Sequence, residues 1–127
     1  MNFNNTVTFT INETLPSFKE LTASVADYWQ DLIQSAIEKS AAMQKPLYFD
    51  KAFVLIEVTK PKHSDNSKLW DTSNRAINLI INNLKGVYFK DDNIEHLAFG
   101  VIGKWGDVPK TEIKILPFER FAKLIDN

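Results

Sequence analysis

Strict alternation of apolar and polar residues marks this chain near both of its ends. Val7, Phe9 and Ile11 alternate with Thr6, Thr8 and Thr10, and Ile113 and Ile115 alternate with Glu112 and Lys114 in the run from Thr111 to Leu116. A side-chain period of two belongs to a strand with one face in a core and the other in water. Such strands are not stable alone, so the remaining chain must supply partner strands and a layer that covers the apolar face.

The covering layer is legible between them. After Leu15-Pro16-Ser17, the apolar residues Phe18, Leu21, Val25, Trp29, Leu32, Ala36 and Ile37 recur at steps of three and four, which predicts an amphipathic helix running to about Met43. Ala52 to Val58 is a β-branched and aromatic run, predicted as a strand covered on both faces. Thr59 to Trp70 is polar and reads as a long loop carrying Lys60, Lys62, His63 and Lys68. Asp71 to Lys85 reads as a second helix, with Ile77, Ile80, Ile81 and Leu84 inward, and Asp71, Arg75, Asn78, Asn82 and Lys85 outward. Gly86 is placed as its C′ residue. Val87-Tyr88-Phe89 then steps into a turn-like cluster, Lys90-Asp91-Asp92-Asn93. A strand carrying Leu97, Phe99 and Val101, a turn over Gly103 to Pro109, the second alternating run, and a short helix through Phe118, Phe121, Ala122 and Ile125 complete the order. This order predicts one α+β domain over residues 1–127, a mixed β-sheet with its helices packed on one side.

Composition narrows the function classes. Fifteen Lys and Arg against sixteen Asp and Glu leave a net charge of -1, so a polyanion would have to meet a local basic patch. The absence of cysteine removes disulfides, thiolate zinc sites and cysteine nucleophiles together. The amino-terminal residues lack the pattern of a signal peptide, and no apolar run approaches the length of a membrane span, so a cytoplasmic protein without membrane attachment is expected.

Familiar catalytic motifs are missing. Gly103-Lys104 has Ala98 where a P-loop needs its upstream Gly and Trp105 where it needs Ser or Thr, so no nucleotide cofactor is expected. His63 and His96 have no partner at zinc-ligand spacing. What remains is Asp71 at the head of a helix and Asp91-Asp92 in a turn twenty residues later. If the chain reverses after the helix, these carboxylates can converge, and converging carboxylates call for a cation or a proton between them. Oxygen ligands favour Mg²⁺, held by one or two carboxylates together with waters and substrate phosphates. The same residues also have a plain structural reading, with Asp71 as an N-cap and Asp91-Asp92-Asn93 as a turn.

Asp71-Thr72-Ser73-Asn74, the helix after it, the apolar step and Asp91-Asp92 together resemble the core of the RusA-like Holliday junction resolvases, and the order of elements extends the resemblance over most of the chain. That family consists of small Mg²⁺-dependent endonucleases that act as homodimers on four-way DNA junctions in recombination and repair. Its signature reads Asp-x-Asp-Asn-x-x-Lys followed by an Asp-Asp pair. Asp71 matches the first Asp, Asn74 the Asn, and Asp91-Asp92 the pair, with Asp92 as the metal-binding member. Ser73 stands at the second Asp and Ile77 at the Lys. The resemblance implies Asp71, Asp91 and Asp92 as catalytic residues, Asp71 and Asp92 as Mg²⁺ ligands, and Lys60, Lys62, Lys68, Asn74 and Arg75 as contacts to DNA. A Ser hydroxyl is a poor Mg²⁺ ligand and Ile77 cannot stabilise a charged phosphorane, so a branched-DNA-binding protein with impaired cleavage is a second expectation. The near-neutral charge leaves a third open, an interaction domain without a DNA role.

Overall fold

The computed structural model describes residues 5–62 and 75–125. Among these, the elements run β1 (Val7–Ile11), α1 (Ala23–Met43), β2 (Ala52–Pro61), α2 (Ile77–Leu84), β3 (Leu97–Gly106), β4 (Lys110–Pro117) and α3 (Phe118–Ile125). The strands form one mixed sheet in the order β1-β4-β2-β3. β4 is antiparallel to both β1 and β2, while β2 and β3 are parallel, with α2 in the connection between them. The domain is therefore α+β, as the sequence predicts.

The alternating runs dictate which sheet face is covered. Val7, Phe9 and Ile11 on β1, Ile113 and Ile115 on β4, and Val54, Ile56 and Val58 on β2 all point to the same side, where Trp29 and Ile33 of α1 and Ile80, Ile81 and Leu84 of α2 close the core over them. The helix α3 does not join that layer. Phe121 stacks on Phe53 with ring centroids 3.8 Å apart, and Phe53 lies on the opposite face in register with Leu116 and Ala98. The expected single-sided helix layer thus holds for α1 and α2 only. Among the described residues, no helix is long and apolar enough to cross a membrane.

Several boundaries differ from the predicted ones for local reasons. The first helix begins at Ala23 rather than near Phe18, because Ser17 and Glu20 close a capping box around a separate 3-10 turn, Phe18–Glu20, and Thr22 then caps α1 afresh. β2 runs on through Thr59, Lys60 and Pro61, so Lys60 stands on a strand and not in a loop. Likewise Gly103 to Gly106 continue β3, leaving Asp107 to Pro109 as the turn. Arg75 and Ala76 precede α2: Arg75 bridges Ser17 and the Ala76 N–H donates to the Pro16 carbonyl. At the far end Gly86, with φ at +84°, is the left-handed C′ residue expected there.

Candidate functional site

The acidic pair lies in the turn between α2 and β3. Leu84 and Lys85 close the helix, Phe89 is buried and bridges both Phe49 and Lys85, and the chain then emerges as Lys90-Asp91-Asp92 with all three side chains exposed. The Asp91 carboxylate accepts the Asp92 N–H at 2.8 Å. That bond, with Lys85 and His96 adding attraction, holds the Asp91 carboxyl below the usual carboxylate range. Lys85 Nζ lies 3.9 Å from the Asp92 carboxylate. His96 is fixed at the start of β3 through Nδ1, 3.0 Å from the Asp50 carbonyl oxygen. The site is therefore two adjacent, exposed carboxylates with a lysine and a histidine at their flank.

The basic residues lie at the other end of the sheet. Ala52 pairs with Leu97 and Pro61 with Gly106, so Lys60 and Lys62 sit roughly 30 Å along β2 from the level of the acidic turn. Lys60, Pro61, Glu20 and Arg75 line a cleft of about 250 Å³ together with the strap Thr14-Leu15-Pro16. This strap is tied down from three directions. Thr14 Oγ1 donates to the Thr59 carbonyl at 2.7 Å, the Leu15 N–H donates to the buried Thr111 hydroxyl at 3.0 Å, and Arg75 Nη1 donates to the Leu15 carbonyl at 2.9 Å. Arg75 is only 7% exposed and stands 3.9 Å from Glu20. It leaves the exposed stripe on which the sequence places it, because the chain is not yet helical at this point and the side chain turns under the strap. Glu20 is held below its ordinary carboxyl value, first by the Ser17 N–H and further by Arg75 and Lys60.

Of the predicted site residues, Asp91 and Asp92 are adjacent, and Lys60 and Arg75 line one cleft beyond which the chain continues to Lys62. Asp71, Lys68 and Asn74 lie outside the described residues, as does Ser73. The chain reversal expected to carry the acidic pair back towards the head of the helix begins at Leu97, after the pair, so Asp91 and Asp92 stand at the carboxyl-terminal end of α2 while Arg75 stands at its amino-terminal end. Among the described residues, no group of three or more His, Asp or Glu side chains is placed to hold a metal ion together. Mg²⁺ is commonly held by one or two carboxylates with waters and phosphate oxygens in its remaining positions; here the Asp91 carboxylate is engaged by the Asp92 N–H and the Asp92 carboxylate stands beside Lys85. The residues that the sequence did not single out are Glu20, Lys85 and His96. The Ser17-x-x-Glu20 spacing of a capping box was visible for the first; the other two needed the fold.

No protein-family model matches this chain, and no curated protein matches it.

Proposed function

We propose that the protein binds branched DNA on a RusA-like fold, with Asp91 and Asp92 as the acidic ligands for Mg²⁺. Lys60, Lys62, Lys68 and Asn74 are the contacts to backbone phosphates. The observation that carries this reading is the acidic turn itself: two neighbouring carboxylates are presented to solvent, and Asp91 is held ionised by the Asp92 N–H. Mg²⁺ bound there supplies neutralisation of charge at phosphorus and a water of lowered pKa. The chain's own contribution is to present the carboxylates in the turn that leads into β3, while Lys60, at the far end of β2, positions the phosphate backbone as a point charge.

One observation favours binding over cleavage. Ile77, at the position where the family carries Lys, is half-buried and packs against the hydrophobic core as the first residue of α2. An isoleucine there supplies packing and no charge to a phosphate.

The test is binding and cleavage of a synthetic four-way junction, with and without Mg²⁺, by the wild type, Asp92→Asn and Ser73→Asp. Junction binding tighter than linear-duplex binding, with slow Mg²⁺-dependent cleavage that Asp92→Asn abolishes and Ser73→Asp accelerates, is the expected result. Binding with no cleavage by wild type or Ser73→Asp establishes the binding-only reading. Absence of junction binding at low salt, where phosphate contacts are strongest, overturns both.

A further inference from the structure

The sheet face opposite the core carries a basic row at one end. Val54, Ile56 and Val58 of β2 point into the core, so alternation sends Thr59, like Phe53, to the other face. Thr59 is in register with Lys104 of β3 on one side and with Lys110 of β4 on the other, and residues in register share a face. The three make a line across the sheet, lysine, threonine, lysine. Neighbouring strands lie about 4.8 Å apart, a distance that the four-carbon stem of a lysine exceeds, so both ammonium groups reach the space over Thr59. The helix on this face, α3, packs on Phe53, roughly 20 Å away along β2.

Thr59 is an anomaly within this row. It is only 5% exposed, and its Oγ1 is shielded from solvent with no hydrogen-bond partner among the described residues. Its methyl branch fills the space left by Gly106, where a Cβ would lie 2.4 Å from Cγ2; the hydroxyl is the other branch. A buried hydroxyl left unpaired costs stability, and a valine would fill the same shape without that cost. The lysines are also uncommitted. Lys114, on the same face, bridges Glu57 at 3.8 Å and Glu112 at 3.5 Å, whereas neither Lys104 nor Lys110 makes an ion pair among the described residues. The nearest carboxylates along β2 and β4 are those same Glu57 and Glu112, already facing Lys114, and Asp107 lies in the turn between β3 and β4.

We propose that this row is a binding site for one doubly charged phosphate group, with the Lys104 and Lys110 ammonium groups on either side of it and the Thr59 hydroxyl donating from beneath. The donor set selects the ligand. Two positive charges match a phosphate dianion, and three separate donors need three acceptor oxygens on one centre, which a phosphate has and a carboxylate lacks. Binding requires the cover over Oγ1 to open, and the flanking lysine side chains are flexible and have no ion pair to break. The strand is already fixed at this point, since Thr14 Oγ1 holds the Thr59 carbonyl. Lys60 pairs in register with Trp105 on the opposite face, so this site is separate from the cleft of Glu20 and Arg75 and does not rest on the junction reading.

The test is the change in melting temperature on adding inorganic phosphate, against chloride at equal ionic strength, with an apparent dissociation constant taken from the titration. Wild type is expected to be stabilised by phosphate over chloride. Thr59→Val should melt no lower than wild type in chloride, because it removes an unpaired hydroxyl, yet should bind phosphate about fivefold or more weakly. Lys104→Gln and Lys110→Gln, surface changes that leave the fold intact, should each weaken binding by a similar factor, while Lys39→Gln on α1, which removes the same charge elsewhere, should not. Displacement of phosphate by a short 5′-phosphorylated duplex, but not by the same duplex without its terminal phosphate, upholds the site with a nucleic-acid end as the source; no displacement by either upholds it with a free phosphate as the source. Absence of any stabilisation beyond chloride, equal loss in Lys39→Gln, or a Thr59→Val protein that binds as wild type overturns the proposal. So does a Thr59→Val protein that melts below wild type in chloride, since its hydroxyl would then be satisfied within the protein. None of these arms contains a junction or Mg²⁺, so their failure leaves the junction reading standing, and failure to bind a junction leaves this site standing.

Discussion

Arg75 shows what a sequence period conceals at the scale of one residue. Steps of three and four place it with Asn78 and Asn82 on a solvent stripe, but the period is informative only where the chain is helical, and α2 starts at Ile77. Instead its guanidinium lies under the Leu15-Pro16-Ser17 strap and donates to the Leu15 carbonyl. Arg75→Met is therefore expected to act on stability, lowering it by about 1–3 kcal/mol in urea unfolding because a buried carbonyl loses its charged donor. Gly106 is a second case. Glycines around Gly103 to Pro109 read as a turn, yet a Cβ at Gly106 would lie 2.4 Å from the Thr59 Cγ2, so this glycine serves close approach between β2 and β3. Gly106→Ala should cost roughly 1–3 kcal/mol through displacement of Thr59, read as a lowered midpoint in thermal unfolding. Sequence displays the glycine but not the neighbour that requires it.

Elements were more legible than their ends. The alternating runs gave β1 and β4 with their inward faces, and the apolar steps gave α1 and the buried stripe of α2, since each pattern is repeated several times within one element. Ends depend on a few local bonds, and the Ser17 capping box is an example: it stops the chain after Glu20 and forces a new start at Thr22. This box makes an acid-sensitive element. The folded carboxyl of Glu20 sits below its ordinary value, so its contribution to stability is present above the unfolded value, about pH 4.3, and is lost as pH falls through the lowered folded value. The difference in melting temperature between wild type and Glu20→Gln should accordingly be constant above about pH 5.5 and shrink below about pH 4. A difference that does not change with pH would show that the carboxylate charge plays no part in the box. The side of the sheet chosen by α3 was not legible, because an amphipathic octet fixes which of its own faces is apolar but not which apolar patch receives it; the Phe53 ring, on which Phe121 stacks, is the patch that receives it.

For the whole molecule, the near-neutral charge bears on the proposed DNA binding. If phosphate contact is confined to Lys60, Lys62 and Lys68, a dimer neutralises about six phosphates, and the logarithm of junction affinity should fall against the logarithm of salt concentration with a slope of roughly −5. Lys62→Ala should reduce that slope by about 2, as measured by fluorescence anisotropy across a salt series. A slope unaffected by this change would place the contacts elsewhere. The candidate site was legible only as a list of residue types, because motif spacing carries no information about which end of a sheet each residue reaches.

The parallel pairing of β2 with β3 puts the acidic turn and the lysines at opposite poles of one protomer. A nucleic-acid backbone that touched both poles of one protomer would run roughly 30 Å along the sheet. That span is close to one helical turn of B-form DNA, roughly 34 Å.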